Sequence, residues 1–458
     1  MERPPAVPRC WSIGERWRRI AHAGSWSLVA KASAVAHLFL SVPFVLTALG
    51  PTRFGAWATL VALVSFAGFL DFGVGNGAMN LVAAAYGRGA KGEITTILRE
   101  AQRALLQIAA WLLIAIPVAA FLVPWHHILG MPVEMASESR AAVLVVLVSI
   151  AISVPLNLAN RVQLGLGRGD RTFRWQAIGQ WLALAAVILS TKTHSSLPIL
   201  TAAAVSTPLI ASTINSLQLW RKLDVRDAPI ENKDDRVAIR RAIRVDGMAF
   251  FGLQLSAVLA FSADLPLISS LASAREAGEY AIVQRLFSVV PLTLSLVWAP
   301  LWPIYRHALA AGDMSWAAST FQRTLIAAVI FAALSGCIFV FGFDRISLLW
   351  LGRSLDVPPL LLTGMAAWCM IEAVGTAIST LFNAANVLRY QLTTALVFSL
   401  LCIAGKIWIL NKFGTQGVPW ITITAYIIAV ALPFLLFGRH ILGGILTNKN
   451  EKSVSHRE

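Results

Sequence analysis

The chain has 458 residues, 57% of them hydrophobic and 13% charged, with a formal net charge of +15 and a mean hydropathy of +0.69. A soluble globular chain carries about 25% charged residues, so that class is excluded. The absence of ~10-residue alternating segments excludes a transmembrane β-barrel.

Apolar runs near the roughly 20 residues that cross a bilayer recur from end to end. The basic N-terminus, MERPPAVPRCWSIGERWRRIAHAG, lacks a cleavable leader pattern, so the first apolar run is expected to be retained. Twelve spans are predicted, at 24–49, 55–84, 101–123, 141–163, 173–191, 197–219, 245–270, 278–304, 322–343, 358–384, 389–410 and 417–438. Several contain Pro, which membrane helices tolerate because neighbouring groups satisfy the freed backbone. The longest polar connection, 221–244, follows the sixth span and divides the chain six plus six. The expected organisation is a basic cytoplasmic tail (1–23), a six-helix bundle (24–220), a cytoplasmic linker (221–244), a second bundle (245–440) and a cytoplasmic tail (441–458).

Of the 38 Lys and Arg residues, Lys31, Arg285 and Lys406 fall well inside spans, 28 in loops or at span ends on the N-terminal side, Arg161 among them, and seven on the other side. Positive charge collects on the cytoplasmic side, so both termini are predicted to be cytoplasmic. The net charge then reflects membrane topology and not a nucleic-acid partner. The halves also resemble each other at an offset of roughly 220 residues. TRFGAWATLVAL (52–63) matches REAGEYAIVQRL (275–286), YGRGAKGEITTILREAQR (86–103) matches HALAAGDMSWAASTFQRT (307–324), and LNLANRVQLG (156–165) matches LFNAANVLRY (381–390). Six spans per copy makes this a parallel repeat, an arrangement known in transporters.

The string GVGNG (73–77) is not a dinucleotide fingerprint, because that motif follows a strand and here both flanks are membrane helix. No Walker A, HExxH, nucleophile-elbow or CxxC motif occurs, and the outer loops are short, so no enzyme chemistry and no cofactor are expected. The pair His126–His127 reads as loop residues, and no metal site is expected. Cys337, Cys369 and Cys402 lie in apolar runs and Cys10 in the tail, with no disulfide framework.

Charges within spans are costly and face cavities or partners. Asp71 and Glu372 are the deepest acids, each near the middle of its span. They read as carboxylates that couple H⁺ or Na⁺ or exchange ion-pair partners, or as a static structural pair. Lys31, Arg285 and Lys406 read as the lining of a cationic cavity suited to phosphate. Snorkelling to the interface competes for Lys31 and Lys406. Asp264, near the outer end of its span, reads as a cap or as the partner of Arg275. Gly73, Gly75 and Gly77 permit close helix approach or bending, with Gly73 and Gly77 forming a GxxxG. Asn76, Asn80, Asn157, Asn160, Asn383 and Asn386 bridge helices or bind hydroxyls. Trp26, Trp125, Trp220 and Trp350 read as interfacial anchors.

The stretch LGPTRFGAWATLVALVSFAGFLDFGVGNGAMNLVAAAYGRGAKGE resembles the signature region of bacterial polysaccharide exporters of the O-antigen flippase type. The match rests on Phe54, Gly55, Trp57, Asp71, Phe72, Gly73, Gly75, Asn76, Gly87 and Gly89, over about 45 residues. The resemblance implies an all-α integral membrane fold, twelve helices in two pseudo-symmetric six-helix bundles around a central cavity. It implies membership of the multidrug/oligosaccharidyl-lipid/polysaccharide exporter superfamily, whose peptidoglycan-precursor flippases usually have fourteen spans. The implied substrate is an oligosaccharide linked to undecaprenyl pyrophosphate, moved across the bacterial inner membrane. Membrane lipids, a polysaccharide polymerase and chain-length proteins are the implied partners. The alternatives are an H⁺- or Na⁺-coupled multidrug or cation extruder, a membrane ligase or polymerase, and a non-transporting scaffold.

Overall fold

The computed structural model describes residues 13–193, 196–222, 233–311, 314–384 and 388–436. Residues 1–12, with Cys10, residues 437–458, and Asn386 lie outside the described residues, as do residues 223–232 of the 221–244 connection. The described residues contain helices and no strands.

The first half holds α1 (Ile13–Leu63), α2 (Val74–Gly87), α3 (Lys91–Leu122), the single turn α4 (Trp125–Ile128), α5 (Ala136–Gly165), α6 (Gly169–Thr191), α7 (Leu197–Val205) and α8 (Thr207–Lys222). The second holds α9 (Lys233–Phe261), α10 (Asp264–Leu271), α11 (Ala274–Phe287), α12 (Val289–Ala311), α13 (Met314–Leu351), α14 (Pro359–Ala384), α15 (Leu388–Phe413) and α16 (Val418–Tyr426). The start of α9 falls inside the polar 221–244 connection. Counterparts in the two halves start at Lys91 and Met314, Ala136 and Pro359, Gly169 and Leu388, and Leu197 and Val418. Each second-half helix thus begins about 220 residues after its first-half counterpart, as a parallel repeat requires.

Eight stretches among the described residues are long and apolar enough to cross a membrane, and the bent pair α9–α10 makes a ninth. Two of the eight, Gly24–Gly68 and Leu392–Leu436, run 45 residues each. A crossing takes roughly 20 residues, so each has room for two. The first divides at Gly50, whose φ of 74° lies outside the helical region. Pro51 follows, where its fixed φ and missing N–H suit the start of a helix. The second divides at the tight turn Gly414–Gly417. Helix α6, 23 residues long, coincides with the predicted crossing 173–191 but is less apolar than the eight, carrying Arg174, Gln176 and Gln180 in its first half.

The burial pattern is that of a chain solvated by lipid. On α3, Ile94, Ile97, Leu98, Ala101 and Leu105 pack inward with residues of α2 and α5, while Trp111, Ile114, Phe121 and Leu122 are exposed. On α13, Phe341 and Leu349 are almost fully exposed. Lipid tails are as apolar as these side chains, so their exposure costs nothing in a bilayer.

By contacts the chain forms two units. One contains the residues up to Leu255 together with Ser273–Gly278; the other contains Ser256–Ala272 and the residues from Glu279 onward.

Candidate functional site

In the first unit the second crossing is not one continuous helix. After α1 a 3₁₀ turn (Val64–Gly68) leads to a break, and α2 starts only at Val74. Asp71 therefore sits in the break and not in a helix interior. Its carboxylate accepts the backbone N–H groups of Gly73 (2.8 Å) and Gly75 (3.2 Å). These N–H groups at the start of α2 have no partner within the helix, and a carboxylate there also opposes the helix dipole. Phe72 has φ 49° and Gly73 φ 76°. Positive φ is easy for Gly and costly for Phe. Phe72 is held there beside the ring of Phe251 on α9, 5.3 Å between centroids.

The glycines around Asp71 bring α2 against α9. A Cβ on Gly73 would lie 2.0 Å from the Gly247 carbonyl oxygen, and one on Gly77 2.4 Å from that of Ile243. A Cβ on Gly75 would meet Asp71 Oδ2 at 2.7 Å and the Arg161 side chain at 3.2 Å.

Asp71 lines a cavity of about 240 Å³ with Arg161, Asn157 and Asn160 of α5 and Thr172, Phe173 and Gln176 of α6. Arg161 is the positive charge that Asp71 feels. Sequence reading counted Arg161, near the end of the predicted span 141–163, only among the cytoplasmic-side charges, but α5 runs on to Gly165 and Arg161 lines this cavity. Behind the wall runs a buried hydrogen-bonded chain. Gln163 Nε2 donates to Asn215 Oδ1 (2.7 Å), and Asn215 Nδ2 donates to Asn160 Oδ1 (2.9 Å). The Thr172 hydroxyl lies 3.1 Å from Gln163 Oε1. Sequence reading missed Gln163, Thr172, Gln176 and Asn215. The available signal was uncharged polar side chains one helical turn apart at facing helix ends. Nearby, the buried Glu100 of α3 holds Arg240 of α9 and Arg103.

In the second unit Lys406 of α15 is 1% exposed. Its ammonium donates to a carboxylate oxygen of Asp264 at the start of α10 and to the Ala260 carbonyl (2.7 Å) near the end of α9. The other Asp264 oxygen accepts the Tyr280 hydroxyl of α11 at 2.9 Å. Asp264 thus pairs with Lys406 and not with Arg275. Lys406 points inward and does not snorkel, because the break between α9 and α10 offers both a carboxylate and an uncommitted carbonyl. A cluster of Phe261, Trp368, Phe398 and Tyr426 lies beside the pair, with Trp368 stacked on Phe398 (6.3 Å, 13°).

Arg285 lies buried on α11, 8% exposed, and Glu372 is half-buried on α14. Cys369, one turn before Glu372, donates its thiol to the Phe287 carbonyl, so the end of α11 touches the middle of α14. In the first unit Lys31 is half-buried on α1. Among the described residues Asp71 lies with Arg161 and Asp264 with Lys406, and the two acids belong to different units.

No protein-family model matches the sequence, and no curated protein matches it. Solved structures do. One is an inward-facing multidrug resistance MATE-family transporter of the MOP superfamily, with TM-score 0.68 and 14% identity over 94% of this chain and 98% of that one. A second is a MOP-superfamily transporter from Pyrococcus furiosus described as having a binding pocket of reversed polarity, with TM-score 0.66 and 14% identity over 94% and 96%. The lipid II flippase MurJ, in an inward closed conformation, matches with TM-score 0.64 and 16% identity over 90% and 86%. The class these features define is a multi-pass α-helical membrane protein. More particularly, its fold is that of the MOP-superfamily transporters.

Proposed function

We propose that this protein is a flippase for oligosaccharides linked to a polyprenyl pyrophosphate, working by alternating access in the bacterial cytoplasmic membrane with both termini in the cytoplasm. The observation that carries the reading is the buried guanidinium of Arg285 on a membrane-spanning helix. A charge at that depth is costly and marks a pathway or a partner, and the planar guanidinium suits bidentate binding of phosphate. Lys31 is the second cation assigned to the phosphate. Lys406 enters as the partner of Asp264, a pair that can separate when the helices rearrange. Asp71 and Glu372 are assigned the response to H⁺ or Na⁺. The signature around Asp71 and the likeness to a lipid II flippase support the lipid-linked substrate. A polysaccharide polymerase and chain-length proteins are its proposed neighbours.

Complementation of a flippase-null strain tests this reading. The wild-type chain restores surface polysaccharide, and Arg285→Gln combined with Lys31→Gln abolishes the restoration while the protein still reaches the membrane. Full restoration by that double variant would sink the cationic-cavity assignment. A second reading, an H⁺- or Na⁺-coupled multidrug extruder, draws on the aromatic cluster around Trp368 and on the likeness to multidrug transporters. It predicts raised drug resistance on expression and no restored polysaccharide.

A further inference from the structure

The cavity beside Asp71 lies wholly within the first unit, is lined by residues of α5 and α6 near the turn between them and is not needed to explain the Arg285 assignment. Its volume, about 240 Å³, falls below the roughly 300–1,000 Å³ that hold drug-sized ligands. Its size suits a single small ring.

The chemistry of its walls narrows the occupant. Asp71 presents only acceptors, and its two N–H partners leave lone pairs on both oxygens. Arg161 presents only donors, while Asn157 and Gln176 present both. An anion would meet Asp71, a cation would meet Arg161, and an apolar molecule would leave both charges without partners. A neutral ligand whose groups each donate and accept satisfies all of them, and a hydroxyl does both. The Phe173 ring, with Val154 and Leu164, supplies an apolar surface for the C–H face of such a ring. The wall is also fixed beforehand. Asn160 is tied to Asn215, Asn215 to Gln163 and Thr172 to Gln163, so binding need not order them.

We infer that this cavity is a monosaccharide site that holds one neutral sugar residue of the substrate's head group. The inference rests on the proposed reading that the substrate carries sugar. It adds a second contact point in the first unit, at the end assigned to the cytoplasm.

Saturation-transfer NMR on the full-length protein in lipid nanodiscs tests it, with a pool of methyl hexosides and methyl N-acetylhexosaminides as the probe. The wild-type protein is expected to transfer saturation to the ring protons of at least one of them. Affinity falls roughly fivefold for each hydrogen bond removed, so Asn157→Leu with Gln176→Leu removes the signal. Arg285→Gln, in the other unit, keeps it. Gln176→Ala alone, with a reduced signal, serves if the double variant does not fold. No transfer to the wild type, or transfer unchanged in the cavity variants, overturns the inference and leaves the flippase reading standing if lipid-linked transport is measured. Cavity-dependent transfer without such transport keeps the sugar site and overturns the flippase reading.

Discussion

Replacing Lys406 by Met leaves Asp264 in the interior with only the Tyr280 hydroxyl as a partner. Lys406 is 1% exposed, Asp264 6%, and the Ala260 carbonyl also loses its donor. Removing one member of a buried pair costs about 3–5 kcal/mol, because the other charge stays behind uncompensated. Replacing both members by apolar groups of similar size is often neutral or stabilising. Lys406→Met is therefore expected to destabilise by that amount, and Lys406→Met with Asp264→Leu to recover most of the loss. Tyr280→Phe removes one hydrogen bond to a charged group and should cost about 1.5–3 kcal/mol. Thermal unfolding in detergent, read by fluorescence, orders the variants as wild type, double variant, Tyr280→Phe, then Lys406→Met. A double variant no more stable than Lys406→Met would refute the pairing.

Gly73→Ala forces a Cβ into the Gly247 carbonyl at a left-handed φ and is expected to cost several kcal/mol by overpacking and backbone strain. Gly87→Ala, with nothing within 4 Å of its Cβ, should melt like the wild type. Asp71→Ala loses both capping bonds to α2 and should cost about 0.5–2 kcal/mol. Asp71→Asn keeps an acceptor oxygen and most of that stability, so loss of transport in a well-folded Asn variant would mark the charge itself as necessary, and full transport would dismiss the coupling assignment. Gln163→Leu leaves the buried Asn215 Oδ1 without its donor and takes one of two acceptors from the Thr172 hydroxyl, which keeps the Asn160 carbonyl. A loss of about 1–3 kcal/mol is expected from the melting curve, and an unchanged curve would show that the buried chain does not hold α5, α6 and α8 together.

Much of this fold is legible in hydropathy, because lipid solvation forces every crossing to be helical and apolar. The Gly50–Pro51 pair marks a helix boundary by local backbone chemistry alone. The acid Asp71 stands out in its apolar run, yet the break it occupies does not, because DFGVG is weakly helical and contacts with α9 select the strained turn. The link between Asp264 and Lys406 spans 142 residues and arises only from packing. Hydropathy counting treats each as a separate charge near a helix end. Arg161 is overlooked for a related reason. An arginine within a turn of a helix end is charge-counted as a loop residue, whichever way its side chain faces. The Gln163–Asn215 chain escapes because uncharged polar residues barely change a hydropathy window.

Reconstitution of the purified chain into liposomes with a fluorescent polyprenyl-pyrophosphate oligosaccharide tests the central claim most directly. A bilayer-impermeant quencher reports the head group's side. The account predicts that the wild-type chain moves the head group across, and that Arg285→Gln sharply slows it while the protein stays folded. Liposomes that carry a cationic drug across and leave the lipid-linked oligosaccharide in its original leaflet would contradict it.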